Sequence, residues 1–371
     1  MCRADTLLVA RTLTLLLFVH PFLYHVPRAD GQWWAAIARL FTSPANLSGV
    51  VAWVALLIVV FAAILRDRLP ISYEVWRASH GVGALLVAGA GVHHAFSIGH
   101  YTPAPIIGVL WLILFAVAVV SLLTVYVIRP IALRTPPFRV VGNRQIGEGL
   151  WELTVEPDAS FESSFEAGQF YWVTIGASPF SLREHPFSAS SAPEELPSIR
   201  FLIQEAGDFT DTIGSVPPGT TTYLDGPYGI FTTDGRDAPG LAFVAGGVGI
   251  APVLSILRHL RAHDDSKPVR LLYGARDLDH AVYLDELEQM QEEEQLDFRF
   301  ELVLSSPPTG WTGPTGVLDA THLEAFFDET GFQRWSYFIC GPTIMMRAVG
   351  LALGDMGVPG RHIVSERFRF D

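Results

Sequence analysis

Residues 241–260, LAFVAGGVGIAPVLSILRHL, run from an unbroken apolar stretch through three glycines into a segment with helical spacing. A buried strand that turns at once into a helix has this form. Gly246, Gly247 and Gly249 allow backbone to come close to phosphate oxygens, and the opening helix offers free N–H groups and a favourable dipole. Two further units keep the same rhythm, VRLLYGARDLDHAVYLDELEQMQ (269–291) and SYFICGPTIMMRAVGLALGDMG (336–357). Strands alternating with helices imply a parallel sheet, so residues 236–371 read as a doubly wound α/β domain. The acidic run EQMQEEEQ (288–295) reads as a solvated helix face.

Upstream the pattern changes. Short alternating runs fill 136–235, among them RVVGNRQI (139–146), LWELTVEP (150–157), QFYWVTIG (169–176) and SIRFLIQEA (198–206). Glycine, proline and serine separate them, which predicts an antiparallel β-barrel. RPIALRTPPF (129–138) is a basic, proline-rich linker.

The first 130 residues read as an α-helical transmembrane bundle. Half of the 371 residues are hydrophobic and only 17% are charged, too apolar a balance for an ordinary soluble protein. No Asp, Glu, Lys or Arg occurs in 40–65 or in 78–128, whereas a spanning helix needs only about 20 such residues. Spans are expected near 5–26, 47–65, 79–98 and 106–128. A cleaved secretory signal fits the N-terminus poorly, because Arg3, Asp5 and Arg11 do not make a clean basic start.

Residues 1–135 hold nine Lys/Arg against four Asp/Glu, and the remainder sixteen against thirty-four. Most arginines of the first part fall on one side of a four-span arrangement, which puts both termini and the C-terminal domains in the cytoplasm. The acidic C-terminal part argues against nucleic acid as a partner. With only Cys2 and Cys340 a disulfide framework is excluded in practice, and Cys2 alone is weak evidence for lipidation.

Beside the glycine-rich turn stand HPFSASS (185–191), GDFT (207–210), DGPYG (225–229), YGAR (273–276) and CGP (340–342). In this order and spacing the set resembles the ferredoxin-NADP reductase superfamily over about 136–371. The resemblance implies FAD along His185, Pro186, Phe187 and Ser188, with Ser188 within reach of the reactive ring nitrogen. It implies a pyrophosphate held by Gly207, Asp208, Phe209 and Thr210. A nicotinamide dinucleotide would face Gly246, Gly247, Gly249 and Pro252, with Cys340, Gly341 and Pro342 beside the nicotinamide. Arg276 would meet the adenosine ribose or a 2′-phosphate, leaving NADH and NADPH both open. The ending ERFRFD (366–371) resembles the E-x-F terminus of the oxidase and ferric reductase branch, with Phe368 covering the flavin.

Histidine within hydrocarbon is costly unless it has a task. EVWRASHGVGALLVAGAGVHH (74–94) carries His80, His93 and His94, and LLFVHPFL (16–23) carries His20. Both stretches resemble the ferric reductase-like transmembrane domain of NADPH oxidases and metalloreductases. That implies haem b on neutral imidazoles, with Gly81, Gly83, Gly89 and Gly91 clearing room for a flat macrocycle. His80 and His93 stand about 20 Å apart along a helix, as two stacked sites would. The match starts partway into the family's domain, and the inner partner of His80 would fall at Thr6 or Leu7, neither a normal haem ligand, so a misplaced start, another ligand for His80 and loss of the inner haem all stay open. Helix geometry favours His94 as the outer ligand; the family's spacing favours His93, which is ranked first. His25 and His100 read as interfacial loop residues.

The expected function is a membrane flavocytochrome of a plasma or inner membrane. It would pass electrons from cytoplasmic NAD(P)H through FAD and haem b to oxygen or ferric iron, with lipid around its helices. A haem-free, membrane-anchored flavin reductase feeding a partner or quinone is the alternative; a non-catalytic membrane subunit is the third reading.

Overall fold

The computed structural model of the chain describes residues 2–25, 32–99, 105–134, 136–159, 164–293 and 296–366. Contacts divide it into two compact units, 1–132 and 133–371.

The first unit is helical: α1 (Cys2–His25), α2 (Trp33–Thr42), α3 (Leu47–Ile64), α4 (Tyr73–Ile98) and α5 (Pro105–Leu123). A π-helical turn, Thr124–Ile128, carries α5 into α6 (Arg129–Ala132). Among the described residues three helical runs are long and apolar enough to cross a bilayer: Pro44–Ile64, Glu74–Ile98 and Pro105–Ala132. The expected first span coincides with α1, whose apolar part, Arg11–Leu23, is shorter. Ser72 caps α4 by accepting from Val75 N, Glu74 suits the positive end of its dipole, and Gly99 in the left-handed region ends it. α3 and α4 run antiparallel, since Gly83 meets Val59 near one end of the pair and Gly49 meets His94 near the other. Small residues at such joints let helices approach closely. The outward faces stay apolar: Ile58, Phe61, Ile106, Val117 and Val120 are each more than half exposed.

The second unit holds two sheets. Strands β1 (Phe138–Gly147), β2 (Leu150–Pro157), β3 (Phe170–Ile175), β4 (His185–Ser188), β5 (Ile199–Gln204) and β6 (Thr221–Tyr228) form an antiparallel sheet in the order β4-β3-β6-β1-β2-β5. Alternate residues such as Val140, Leu153, Val155, Val173 and Phe201 pack its interior.

The other sheet alternates strand and helix: β7 (Leu241–Gly246), α7 (Ile250–Ala262), β8 (Val269–Ala275), α8 (Leu284–Glu292), β9 (Phe298–Leu304), α9 (Ala320–Phe326), β10 (Ser336–Cys340), α10 (Thr343–Asp355) and β11 (Ile363–Glu366). Its order is β11-β10-β7-β8-β9, all parallel. β7 therefore lies between β8 and β10, and the winding reverses at the β7/β10 pair. Ligands of open parallel sheets bind outside the carboxyl ends of the strands at such a reversal.

Candidate active site and the histidines of the apolar helices

The reversal brings the two glycine-containing turns together. Ala245 pairs with Cys340, so Gly246–Gly249 and Gly341–Pro342 leave the sheet side by side. A Cβ on Gly249 would lie 2.3 Å from the Cys340 carbonyl oxygen, and one on Gly246 would lie 2.5 Å from Met345 Sδ. These two glycines permit turn-against-turn packing as much as ligand approach. Gly247 differs: its φ is +54° and nothing stands within 4 Å of its would-be Cβ. It is the position in this turn that is open to a ligand.

A cavity of about 800 Å³ lies over these turns and reaches the barrel. Pro186, Phe187, Ser188, Gly246, Gly247, Gly249, Pro252, Arg276, Cys340, Gly341 and Pro342 all line it. Phe187 also belongs to the barrel core. Ser188 Oγ is buried, and among the described residues no hydrogen-bond partner reaches it. A buried hydroxyl costs stability unless something satisfies it, so this atom fits a ring nitrogen or carbonyl of a bound flavin. The Arg276 side chain is 70% exposed, with Nε 3.7 Å from Asp277 Oδ2.

His185 and the segment Gly207–Thr210 are placed differently. The His185 ring stacks on Phe209 at 4.0 Å and 12°. Thr210 Oγ1 accepts from Ala206 N and donates to the Gly207 carbonyl, and Gly207 N donates to Asp211 Oδ1 at 3.1 Å. The loop thus uses these donors itself, and a pyrophosphate would take the Gly207 N–H by displacing the Asp211 carboxylate. Phe368 lies outside the described residues.

Sequence reasoning gave no role to Glu366 and His280. Glu366 ends β11 opposite Cys340. Burial raises its carboxyl from 4.5 to about 7, and its Oε2 has no hydrogen-bond partner among the described residues. Burial, and then the neighbouring Glu366, push the Cys340 thiol up, so it stays protonated. His280 lines the cavity and holds Asp277 Oδ1 at 2.6 Å, a hydrogen bond that keeps the Asp277 carboxyl below its usual range. The signal for His280 was the D-x-x-H spacing in YGARDLDH, where Asp277 also caps the turn by accepting from His280 N.

The helical unit has a cavity of its own, about 540 Å³, with mostly apolar walls from α1, α2, α3, α4 and α5. His20 and His94 both line it, together with Pro21, Asn46, Gly49, Trp53, Gly91 and Trp111. His94 Nδ1 is buried with no hydrogen-bond partner among the described residues. Its imidazole lies on Gly49, where a Cβ would come within 2.6 Å of ring atoms. His93 is exposed, with Nδ1 3.3 Å from Ser97 Oγ, and is not among the lining residues. Of the pair, His94 and not His93 lines the cavity: one residue is 100° of helix, and the further step turns the ring towards it.

The four glycines of α4 also divide. Gly91 has open space beside it and lines the cavity. Gly81 packs on Tyr126, Gly83 on Val59 and Gly89 on Phe115, so these three serve helix contact, a correction to the expectation that all four clear space for a macrocycle. His80 is half-buried with its ring 5.2 Å from that of Trp76, over which Arg66 sits at 5.1 Å. The side chains of Thr6 and Leu7 lie outside the described residues, as does His100. Two imidazoles on one apolar cavity, one with an unpaired buried nitrogen, fit the donor set of a bis-histidine haem.

Residues 7–91 match the ferric reductase like transmembrane component, and residues 243–350 the oxidoreductase NAD-binding domain. Over 247 residues the chain is 32% identical to ferredoxin–NADP reductase B of Sorangium cellulosum, which covers 64% of this chain and 99% of that protein. The chain belongs to the ferredoxin–NADP reductase family. Ahead of its reductase half it carries a ferric reductase-like transmembrane component. The Na(+)-translocating NADH-quinone reductase of Pseudomonas aeruginosa has one component that is 31% identical over 196 residues, 49% of this chain; the chain spans only about half, 48%, of that relative's length. The reductase fold recurs in a cytochrome P450 reductase of Amycolatopsis, with a TM-score of 0.55 at 24% identity over 63% of this chain and 69% of that one. The chain is an NAD(P)H-dependent oxidoreductase, a membrane-linked flavin reductase of this family that uses FAD, and the non-catalytic reading is set aside.

Proposed function

We propose that this protein carries electrons from cytoplasmic NAD(P)H to oxygen or ferric iron across a membrane, with FAD and haem b as its carriers. The observation that supports the haem is the pair His20 and His94 on one apolar cavity, with His94 Nδ1 buried and unpaired. Bound there, haem iron would change oxidation state by one electron at a time, which matches a flavin that takes hydride and releases single electrons.

The chain's own groups supply position. Ser188 would meet the flavin ring and Gly247 would let the dinucleotide approach, while Cys340 and Gly341 form the floor at the sheet reversal. His20 and His94 would hold the haem iron through imidazole nitrogens, and Gly49 leaves the His94 ring its place. Mixing the anaerobic, detergent-solubilised protein with NADPH or NADH tests the proposal. A haem b α-band should grow in after flavin bleaching, and the reduced band should collapse on adding oxygen or ferric chelate. Flavin bleaching with no haem band would contradict it.

The likeness to a protein named for NADH-quinone reduction favours one second reading, a haem-free anchored flavin reductase that delivers electrons to a quinone. Quinone-dependent NAD(P)H oxidation by haem-free protein would select it.

A further inference from the structure

Away from the cofactor cavity, α7 carries His259 in its last turn and ends at His263, four residues on, and both face Glu194 on the short 3-10 turn Pro193–Glu195. His259 Nδ1 lies 2.8 Å from Glu194 Oε1, and His263 Nδ1 lies 3.6 Å from the same oxygen while donating to the His259 carbonyl at 2.9 Å. The two rings are 4.4 Å apart. One donor atom from each of the three residues lies within 4.8 Å of the other two.

The carboxylate does not reach this position by chance of a loose loop. Ala192 N donates to Glu195 Oε1, and Glu195 also pairs with Arg200, which fixes the turn that carries Glu194. The same face of α7 is fastened to the chain just before that turn. Ser255 Oγ donates to the Ser191 carbonyl at 2.7 Å, and Arg258 Nη1 donates to the Ser190 carbonyl at 2.6 Å. Ser255, Arg258, His259 and His263 therefore form one helical stripe against 190–195.

We infer that His259, His263 and Glu194 form a binding site for a divalent, nitrogen-preferring transition-metal ion, with Zn²⁺ as the representative cation. Two imidazoles and one carboxylate leave a position for water, and imidazole ligands select zinc-like ions over calcium or magnesium. Zinc-to-ligand bonds of about 2.0–2.2 Å in a tetrahedral set place neighbouring donors about 3.4 Å apart, so His259 and Glu194 would part slightly and His263 would turn its ring from the His259 carbonyl. The partly exposed Glu194 and His263 side chains, 35% and 55%, have room for that rotation. The ion would clamp barrel residues 193–195 to the helix that begins at the cofactor turn, and so hold the two sheets at a fixed spacing.

The test uses the full chain in detergent, stripped of metal, with Zn²⁺ titrated against a chromophoric chelator. One Zn²⁺ per chain should bind, and His259→Ala/His263→Ala should weaken that affinity by at least about tenfold with FAD content unchanged. Glu194→Gln, which keeps size and loses charge, should weaken it too. Zn²⁺ should also raise the unfolding temperature of the wild type and not of the double variant. Because His20 and His94 are a second imidazole pair, His20→Ala/His94→Ala serves as control and should retain the site. Equal Zn²⁺ affinity and stoichiometry in the wild type and the His259/His263 double variant would overturn the inference, as would no saturable binding.

Discussion

At the scale of single residues, the decisive positions are those whose partner lies far away in the chain. His94 was separated from His93 by its contact with Gly49, some forty-five positions earlier, and nothing in the run of α4 announces that contact. Gly49→Val should push the imidazole aside and lower the haem-to-FAD ratio several-fold, with FAD retained; pyridine haemochrome quantification measures it. Ser188→Ala should leave FAD bound and slow flavin reduction about 5- to 100-fold, the worth of one hydrogen bond to a buried group, as read by stopped-flow bleaching. Glu366 yields a pH prediction. Its native carboxyl titrates at about 7 against an ordinary 4.5, so between these values the native state binds a proton that the unfolded chain has lost. Stability contributed at this site therefore falls as pH rises from about 4.5 to about 7, and the penalty is complete above that. Glu366→Gln should be more stable than the wild type at pH 8 by about 1–3 kcal/mol and equal to it at pH 4.5. Thermal unfolding followed by flavin fluorescence at the two pH values checks this.

At the scale of elements, the strand–turn–helix units of the parallel sheet were legible because their information is local. Four to six apolar residues, a glycine turn and a helical repeat occur within twenty positions, and β7–α7 and β10–α10 follow that pattern. The motifs HPFS, GGVG and CGP were readable as short runs that resemble a known family, and all but His185 of their residues line the cavity. The packing task of Gly249 was not readable, since the atoms that forbid its side chain belong to β10, about ninety residues on. Gly249→Ala should strain the meeting of the two turns, cost about 1–3 kcal/mol of stability and weaken dinucleotide binding more than FAD binding. Calorimetric unfolding and NADP⁺ titration of the variant measure both. The loop at Gly207–Thr210 was legible as a motif but not as a hydrogen-bonded state, because the Asp211 carboxylate that takes the Gly207 N–H looks like any other solvated acid in sequence. Helix α2 escaped notice since its ten residues fall short of a span and lie between two longer apolar runs.

At the scale of the whole molecule, the chain joins an apolar helical unit with paired imidazoles to a reductase whose cofactor cavity sits at a sheet reversal. Composition alone revealed the division, because an uncharged run of fifty residues and an acidic C-terminal half serve different solvents. Haem count was beyond sequence reasoning, since it depends on which imidazoles share a cavity. The most direct measurement is the dithionite-reduced minus oxidised spectrum of purified protein, with haem and FAD quantified, for the wild type and three single variants. One haem b per FAD should be found in the wild type and in His93→Ala. It should be lost in His20→Ala and in His94→Ala, with NAD(P)H oxidation by an artificial acceptor preserved in all four. Haem absent from the wild type, or retained in His94→Ala and lost in His93→Ala, would contradict the reading of this cavity.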